Sequence, residues 1–240
     1  MNALPATLDV RQIGALLRGE PKLIGAWVRR WSSRRLLLYI AVIVIGAGCY
    51  GAAMGSWRAL LQAFYTGVKF PLVILLTTLG NGLLNGMLAP LLGLNIGFRQ
   101  SLLVVCMSFT IAAAILGSFS PLMLFVIWNT PPVFGSWSSV SSAYCFMQLA
   151  TVVFIAFAGI AGNLKLVPLL RELGGSSAVA WRVLFAWLAV NLLLGSQLCW
   201  NLRPFVGYPG IPVEFLTPHA FEGNFFEAVF QAAKHLLNSQ

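Results

Sequence analysis

Between Glu20 and Glu172 the sequence contains no acidic residue, and its two histidines, His219 and His235, fall near the C-terminus. Charged residues make up 9% of the 240-residue chain, against roughly 25% in an ordinary soluble domain. These shortages exclude several kinds of chemistry. A membrane-embedded carboxylate, the usual group of proton- or sodium-coupled transport, is missing from the apolar core. HExxH, GxxxxGK[ST], paired span carboxylates and an intramembrane Ser–His couple are also absent, so intramembrane hydrolysis and nucleotide-phosphate binding have no candidate residues. GNGLLNG lies inside an apolar run and lacks the strand that precedes a phosphate loop. An active site completed by another subunit stays open as an alternative.

The four cysteines, Cys49, Cys106, Cys145 and Cys199, show no CxxC spacing, and neither a metal nor another cofactor is expected. They read as small packing residues, with a Cys145–Cys199 disulfide as the open alternative.

What is present is apolar. Hydrophobic residues make up 59% of the chain and gather in runs near the ~20 residues a helix needs to cross the hydrocarbon layer. The fold expected is therefore all-α, a polytopic helical membrane bundle of five spans. They are placed at about 36–54, 70–92, 101–120, 143–162 and 181–200, forming a membrane domain over 36–200. Residues 1–35 form a basic amphipathic segment, and 201–240 a proline-rich tail ending in an amphipathic helix.

The net charge of +9 is uneven, since seven of the fifteen Lys and Arg residues precede Tyr39. This reads as a topology signal and not as nucleic-acid binding. The long basic region and the lack of a cleavage context make the first apolar run a retained anchor. With five spans and the N-terminus inside, eleven basic residues lie on the inner side and four on the outer, which predicts a cytoplasmic N-terminus and an extracytoplasmic C-terminus.

Residues 8–31 alternate apolar and basic positions around Pro21, predicting two short helices at the inner membrane surface. Trp27 and Trp31 would then sit at headgroup depth, with Arg29, Arg30, Arg34 and Arg35 facing anionic lipid. A generic positive-inside anchor is the simpler reading of the same residues.

Within the spans, small residues recur at helical spacing: Ala47, Gly51 and Gly55 in the first, Gly82 and Gly86 in the second, Ala158 and Gly162 in the fourth. Such faces allow close helix approach, where dispersion replaces the hydrophobic drive that lipid cannot supply. Thr77, Asn81 and Asn85 form a polar stripe in the second span, and Asn191 lies near the middle of the fifth. An interhelical polar seam is the preferred reading, with a solute path as its alternative.

Residues 56–69 read as a short interfacial stretch whose Trp57, Phe64 and Tyr65 suit an aromatic belt. The apolar run from Ser101 to Trp128 would reach about 42 Å as one helix, so a kink or turn is expected around Gly117–Pro121. Residues 129–142 then form an uncharged loop. In the tail, prolines at 204, 209, 212 and 218 favour extended or turning backbone. A last helix is expected with Thr217 at the N-cap and Pro218 at N1, presenting a stripe of Phe221, Phe225, Val229 and Leu236.

YGAAMGSWRALLQAFYTGVKFPLVILLTTLGNGLLNGMLAPLLG, followed by FRQSLLVVCMSFTIAAAILGSFSPL, resembles bacterial members of the Yip family over about residues 36–160. The resemblance lies in a first span ending YGxxxG, a KxPL motif before a Gly-rich second span, and FRQ before the third. It implies five spans, a cytoplasmic N-terminus and an adaptor or membrane-shaping role, and it carries over no catalytic residue. The short basic N-terminal region and the added proline-rich tail depart from that pattern and put a small-GTPase partner in doubt.

The expected function is that of a non-enzymatic scaffold, adaptor or accessory subunit in a bacterial inner membrane. Its partners would be anionic lipid headgroups and other membrane subunits, or a second copy of itself. The alternative is an uncoupled channel or transporter for a neutral solute, lined by Asn81, Asn85 and Asn191.

Overall fold

The computed structural model describes residues 11–131, 133, 137–207, 210 and 212–238. Helix is the dominant structure of the described residues, with no strand among them. The expectations placed on residues 1–10 and on Pro132, Phe134, Tyr208, Pro209 and Ile211 lie outside them.

Two short helices, α1 (Arg11–Arg18) and α2 (Pro21–Arg29), precede the first long one, α3 (Ser33–Gly55). Then come α4 (Leu60–Leu91), α5 (Phe98–Ser118), α6 (Ser120–Trp128), α7 (Trp137–Leu164), α8 (Val167–Gly174), α9 (Ser177–Asn201) and α10 (Phe225–Asn238). Five helical stretches are long and apolar enough to cross a membrane: α3, α4, α5 with α6, α7 with α8, and α9. At 1.5 Å per residue even the shortest, the 23-residue α3, reaches about 34 Å. With five crossings, the N-terminal helices and the tail occupy opposite ends of the bundle, here called the basic end and the tail end.

The core is built around α3, α4 and α5, which pack against one another most extensively. Glycines set how closely they approach. A Cβ on Gly51 would lie 2.6 Å from the Thr66 carbonyl oxygen, and one on Gly55 the same distance from that of Gln62. Gly117 of α5 meets the Cα of Gly46, so these backbones are in direct contact.

This contact revises the expectation for residues 60–69. They are not a separate interfacial stretch but the first turns of α4, which runs unbroken through Pro71. Each turn lies against α3, and that packing offsets the backbone bond that proline removes.

The overlong third run breaks at Phe119 and resumes as α6, with Pro121 in its first turn, where a missing N–H costs nothing. The loop expected over 129–142 is shorter, because α7 begins at Trp137. At the basic end α8 stops at Gly175, whose φ of +67° suits glycine, and Ser176 then caps α9 by accepting from the Val179 N–H at 3.2 Å.

The short N-terminal helices do not rest only on lipid. Leu16, Ile24 and Val28 are buried in the protein core, with α2 packed on α8 and α5. At the other end, the last helix starts seven residues later than expected. Asn224, not Thr217, caps α10 by accepting from the Glu227 N–H at 2.9 Å, while Thr217 accepts from His219 N–H in a turn. Phe221 consequently lies outside the helix and is exposed, and α10 docks on α7 and α9.

Candidate functional site

Two polar clusters stand out in an otherwise apolar bundle. The first is the amide seam. Asn85 Nδ2 donates to Asn81 Oδ1 at 2.8 Å, one turn away on α4, and both residues are fully buried. Thr77, one further turn along, lies 3.7 Å from where a Cβ of Gly195 on α9 would stand. At the far end of the same antiparallel pair, Gly93 meets Val179. Those two contacts define one register, in which Asn81 is level with Asn191 and Asn85 with Trp187. The orphan polar atoms of these residues are complementary. Asn81 Nδ2 and Trp187 Nε1 are donors, and Asn191 Oδ1 and Asn85 Oδ1 are acceptors. The stripe is thus turned into the protein and is level with matching groups on α9.

The small residues also face inward. Ala47 and Ala158 are fully buried. Gly82 meets Leu102, Gly86 meets Phe98, and a Cβ on Gly162 would lie 2.6 Å from the Ser108 carbonyl oxygen. All of these packing contacts are made within this chain.

Of the four arginines expected at lipid headgroups, Arg29 pairs with Glu172 at 3.3 Å. Arg35 donates to the carbonyls of Trp27 and Arg30, and its guanidinium lies 5.3 Å from the Trp27 ring. Arg30 and Arg34 are exposed at the basic end.

The second cluster lies at the tail end. Gln62, Thr66 and Lys69 recur at i, i+4 and i+7 on one face of α4, and all three are fully buried. They hold the strap that follows α9. Gln62 Nε2 donates to the carbonyls of Pro204 at 3.0 Å and Phe205 at 2.8 Å. Thr66 Oγ1 donates to Phe205 at 2.6 Å, and Lys69 Nζ to Pro204 at 2.9 Å. The ammonium group also lies 4.9 Å from the Phe215 ring and 5.8 Å from that of Phe205. Carbonyl dipoles and ring faces therefore replace water around a buried cation. Gly207, with a φ of +84° that suits glycine, packs over Arg58 and Gln62, and a Cβ there would lie 3.0 Å from Arg58 Cγ.

Arg203 gathers the rest of the strap. Its guanidinium donates to the carbonyls of Trp200, His219, Ala220 and Glu222 at 2.6–3.1 Å and lies 3.8 Å from the Trp200 ring centroid. Burial lowers its pKa from the ordinary value, while the nearby Glu222 carboxylate opposes that shift. Sequence reasoning missed this cluster. The spacing of Gln62, Thr66 and Lys69 was the available signal, obscured by the aromatic residues between them.

Between the strap and the bundle lies a cavity of about 640 Å³. Its walls are mostly apolar, with Met54 and Phe70 from the core, Val152 and Ile155 from α7, and Phe205 from the strap. Arg58, Gln62, Gln148, Arg203 and Glu214 supply polar atoms. The four cysteines are free thiols. Among the described residues no three His, Cys, Asp or Glu side chains converge as a metal site.

The five apolar helices make this an integral, multi-pass helical membrane protein. Comparison with protein families, curated proteins and solved structures finds no match for the chain.

Proposed function

We propose that the chain is a non-enzymatic membrane scaffold, adaptor or accessory subunit acting through helix contacts in the bilayer. The observation that carries this reading is the burial of the amide stripe of α4 against α9. Asn81 and Asn85 bond to each other at 2.8 Å within α4 and are fully buried, which supports a role in helix packing over one in a solute path. Glycine contacts tie α3, α4 and α5 together, and folded segments cap both ends. A firm core with a structured surface at each membrane face suits a platform for other membrane subunits or a second copy of the chain.

The charge bias supports a cytoplasmic basic end, with Arg30 and Arg34 toward anionic headgroups, and an extracytoplasmic tail, as in a bacterial inner membrane. The Yip-like features of residues 36–160 agree with an adaptor role. Gentle purification of the full chain followed by identification of co-purifying membrane proteins tests the proposal, with a stoichiometric partner or self-association expected. Solute flux in proteoliposomes that is lost in folded Asn81→Leu and Asn85→Leu proteins would overturn it in favour of a channel.

A further inference from the structure

The fifth crossing is not helical along its whole length. Contacts of Thr77 with Gly195, Gly80 with Leu194 and Gly93 with Val179 fix α9 against α4, and they place Trp200, near the end of α9, level with Leu72. On the other side of α4, Gly55 at the end of α3 is level with Gln62. Trp200 therefore lies about 15 Å short of the tail end of α3, a helix about 34 Å long. Against a hydrocarbon layer of ~30 Å, that is about half-way across. The strap covers the remaining depth without helix. Pro204 and Phe205 lie beside Gln62, Thr66 and Lys69, and Gly207 lies over Gln62.

Non-helical backbone at that depth needs a partner for every polar group, and lipid supplies none. The Pro204 and Phe205 carbonyls have theirs on α4. The N–H groups of Phe205, Val206 and Gly207 donate to no group among the described residues, and all three residues line the cavity. Gln148 and Glu214 line it as well, and among the described residues their side chains form no hydrogen bond or ion pair. These donors and acceptors, a half-buried carboxylate among them, call for water. Hydrocarbon is kept from them at the side, because Phe225 and Ala228 of α10 line the cavity where α10 docks on α7 and α9. The cavity instead reaches the tail face at Pro218 and His219, both exposed. At about 30 Å³ per molecule, its volume of about 640 Å³ holds on the order of twenty waters.

We propose that the cavity is a water-filled vestibule, entered from the tail face and sealed from lipid by α10, which carries solvent to the strap about half-way through the bilayer. Its water accepts from the N–H groups of the strap and donates to Glu214 and Gln148. The vestibule is a dead end. Beyond Trp200 the next polar positions of α4, Thr77, Asn81 and Asn85, are buried in the seam, so solvent reaches the strap without crossing the protein.

The first test compares neighbouring positions on α7, in the full chain with its four cysteines replaced by alanine and reconstituted in liposomes. Val152 and Ile155 line the cavity, whereas Val153, at the same depth, is exposed on the outer face of the bundle. Val152→Cys, Ile155→Cys and Val153→Cys are each treated from both sides with sulfonatoethyl methanethiosulfonate, a small reagent that reacts in water and does not enter lipid. Labelling of the first two at least tenfold faster than the third is expected. Equal rates at all three positions, or no reaction at Val152→Cys and Ile155→Cys, would overturn the proposal. The second test uses the unaltered chain in lipid nanodiscs, with hydroxyl radicals generated from water by radiolysis and oxidation read by mass spectrometry. Phe205, which lines the cavity, should be oxidised, while Phe157 on the outer face of α7 is spared. Equal oxidation of the two, or protection of both, means a dry cavity, and this result decides the matter even where a cysteine variant does not fold.

Discussion

Lys69 Nζ donates to the Pro204 carbonyl oxygen at 2.9 Å, linking positions 135 residues apart in the chain. The bond makes the first turns of α4 and the segment after α9 into one structure. The Pro204 carbonyl accepts from the side chains of Gln62 and Lys69, and the buried ammonium in turn depends on that carbonyl and on two phenyl faces.

Lys69→Met removes the cation and keeps much of its bulk. A hydrogen bond to a charged group is worth about 1.5–3 kcal/mol, and the strap should loosen by a comparable amount. Hydrogen exchange over residues 203–223 is expected to speed up in this variant while α3 and α5 stay protected. Unchanged exchange would show that Gln62 and Thr66 hold the strap unaided.

Arg203→Lys keeps the charge at the strap and loses the fork that reaches four carbonyls. One ammonium cannot satisfy acceptors spread from Trp200 to Glu222. Limited proteolysis between Thr217 and Asn224 should become several-fold faster. Resistance equal to that of the unaltered chain would mean that α10, docked on α7, holds the tail without this clasp.

How far the fold was legible follows from the range of the interactions involved. Five spans, the inward glycines and the break near Phe119 are written in local pattern, because lipid leaves little choice but helix for a long apolar run. The start of α4 was not legible, since residues 60–69 owe their helical packing to Gly51 and Gly55 and their polar partners to Pro204 and Phe205. The start of α10 was hidden for the same reason. Thr217-Pro218 is a sound local cap signal, but Arg203 takes the carbonyls of His219, Ala220 and Glu222 and holds that stretch in turns. The cavity arises from the same long-range docking and has no local signature.

The glycine contacts predict a contrast between substitutions of equal size. Gly51→Leu and Gly82→Leu force side chains into the Thr66 carbonyl and Leu102, and overpacking of this kind costs about 1–3 kcal/mol or more. Gly159→Leu, on the same kind of apolar helix, meets open space within 4 Å. Thermal unfolding in detergent should show lowered midpoints for the first two and little change for the third, with membrane insertion equal in all. A matching loss in Gly159→Leu would point to partner contact on that face of α7.

The register of α4 against α9 makes the last prediction. Asn81 and Asn191 are level, and one has an orphan donor where the other has an orphan acceptor. If they act on each other across the seam, Asn81→Leu and Asn191→Leu should each leave a polar group unmatched, whereas the double variant removes both and costs less than the sum. Coupling between polar groups inside membrane proteins averages about 0.6 kcal/mol and reaches about 1.7. Steric-trap or denaturant unfolding of the three variants in bicelles measures that term. A coupling of zero would mean that Asn81 is served by Asn85 alone, and that Asn191 points its amide elsewhere. A coupling in the expected range would make the seam the fastener that fixes α9, and with it the strap that α9 carries, at one height against α4.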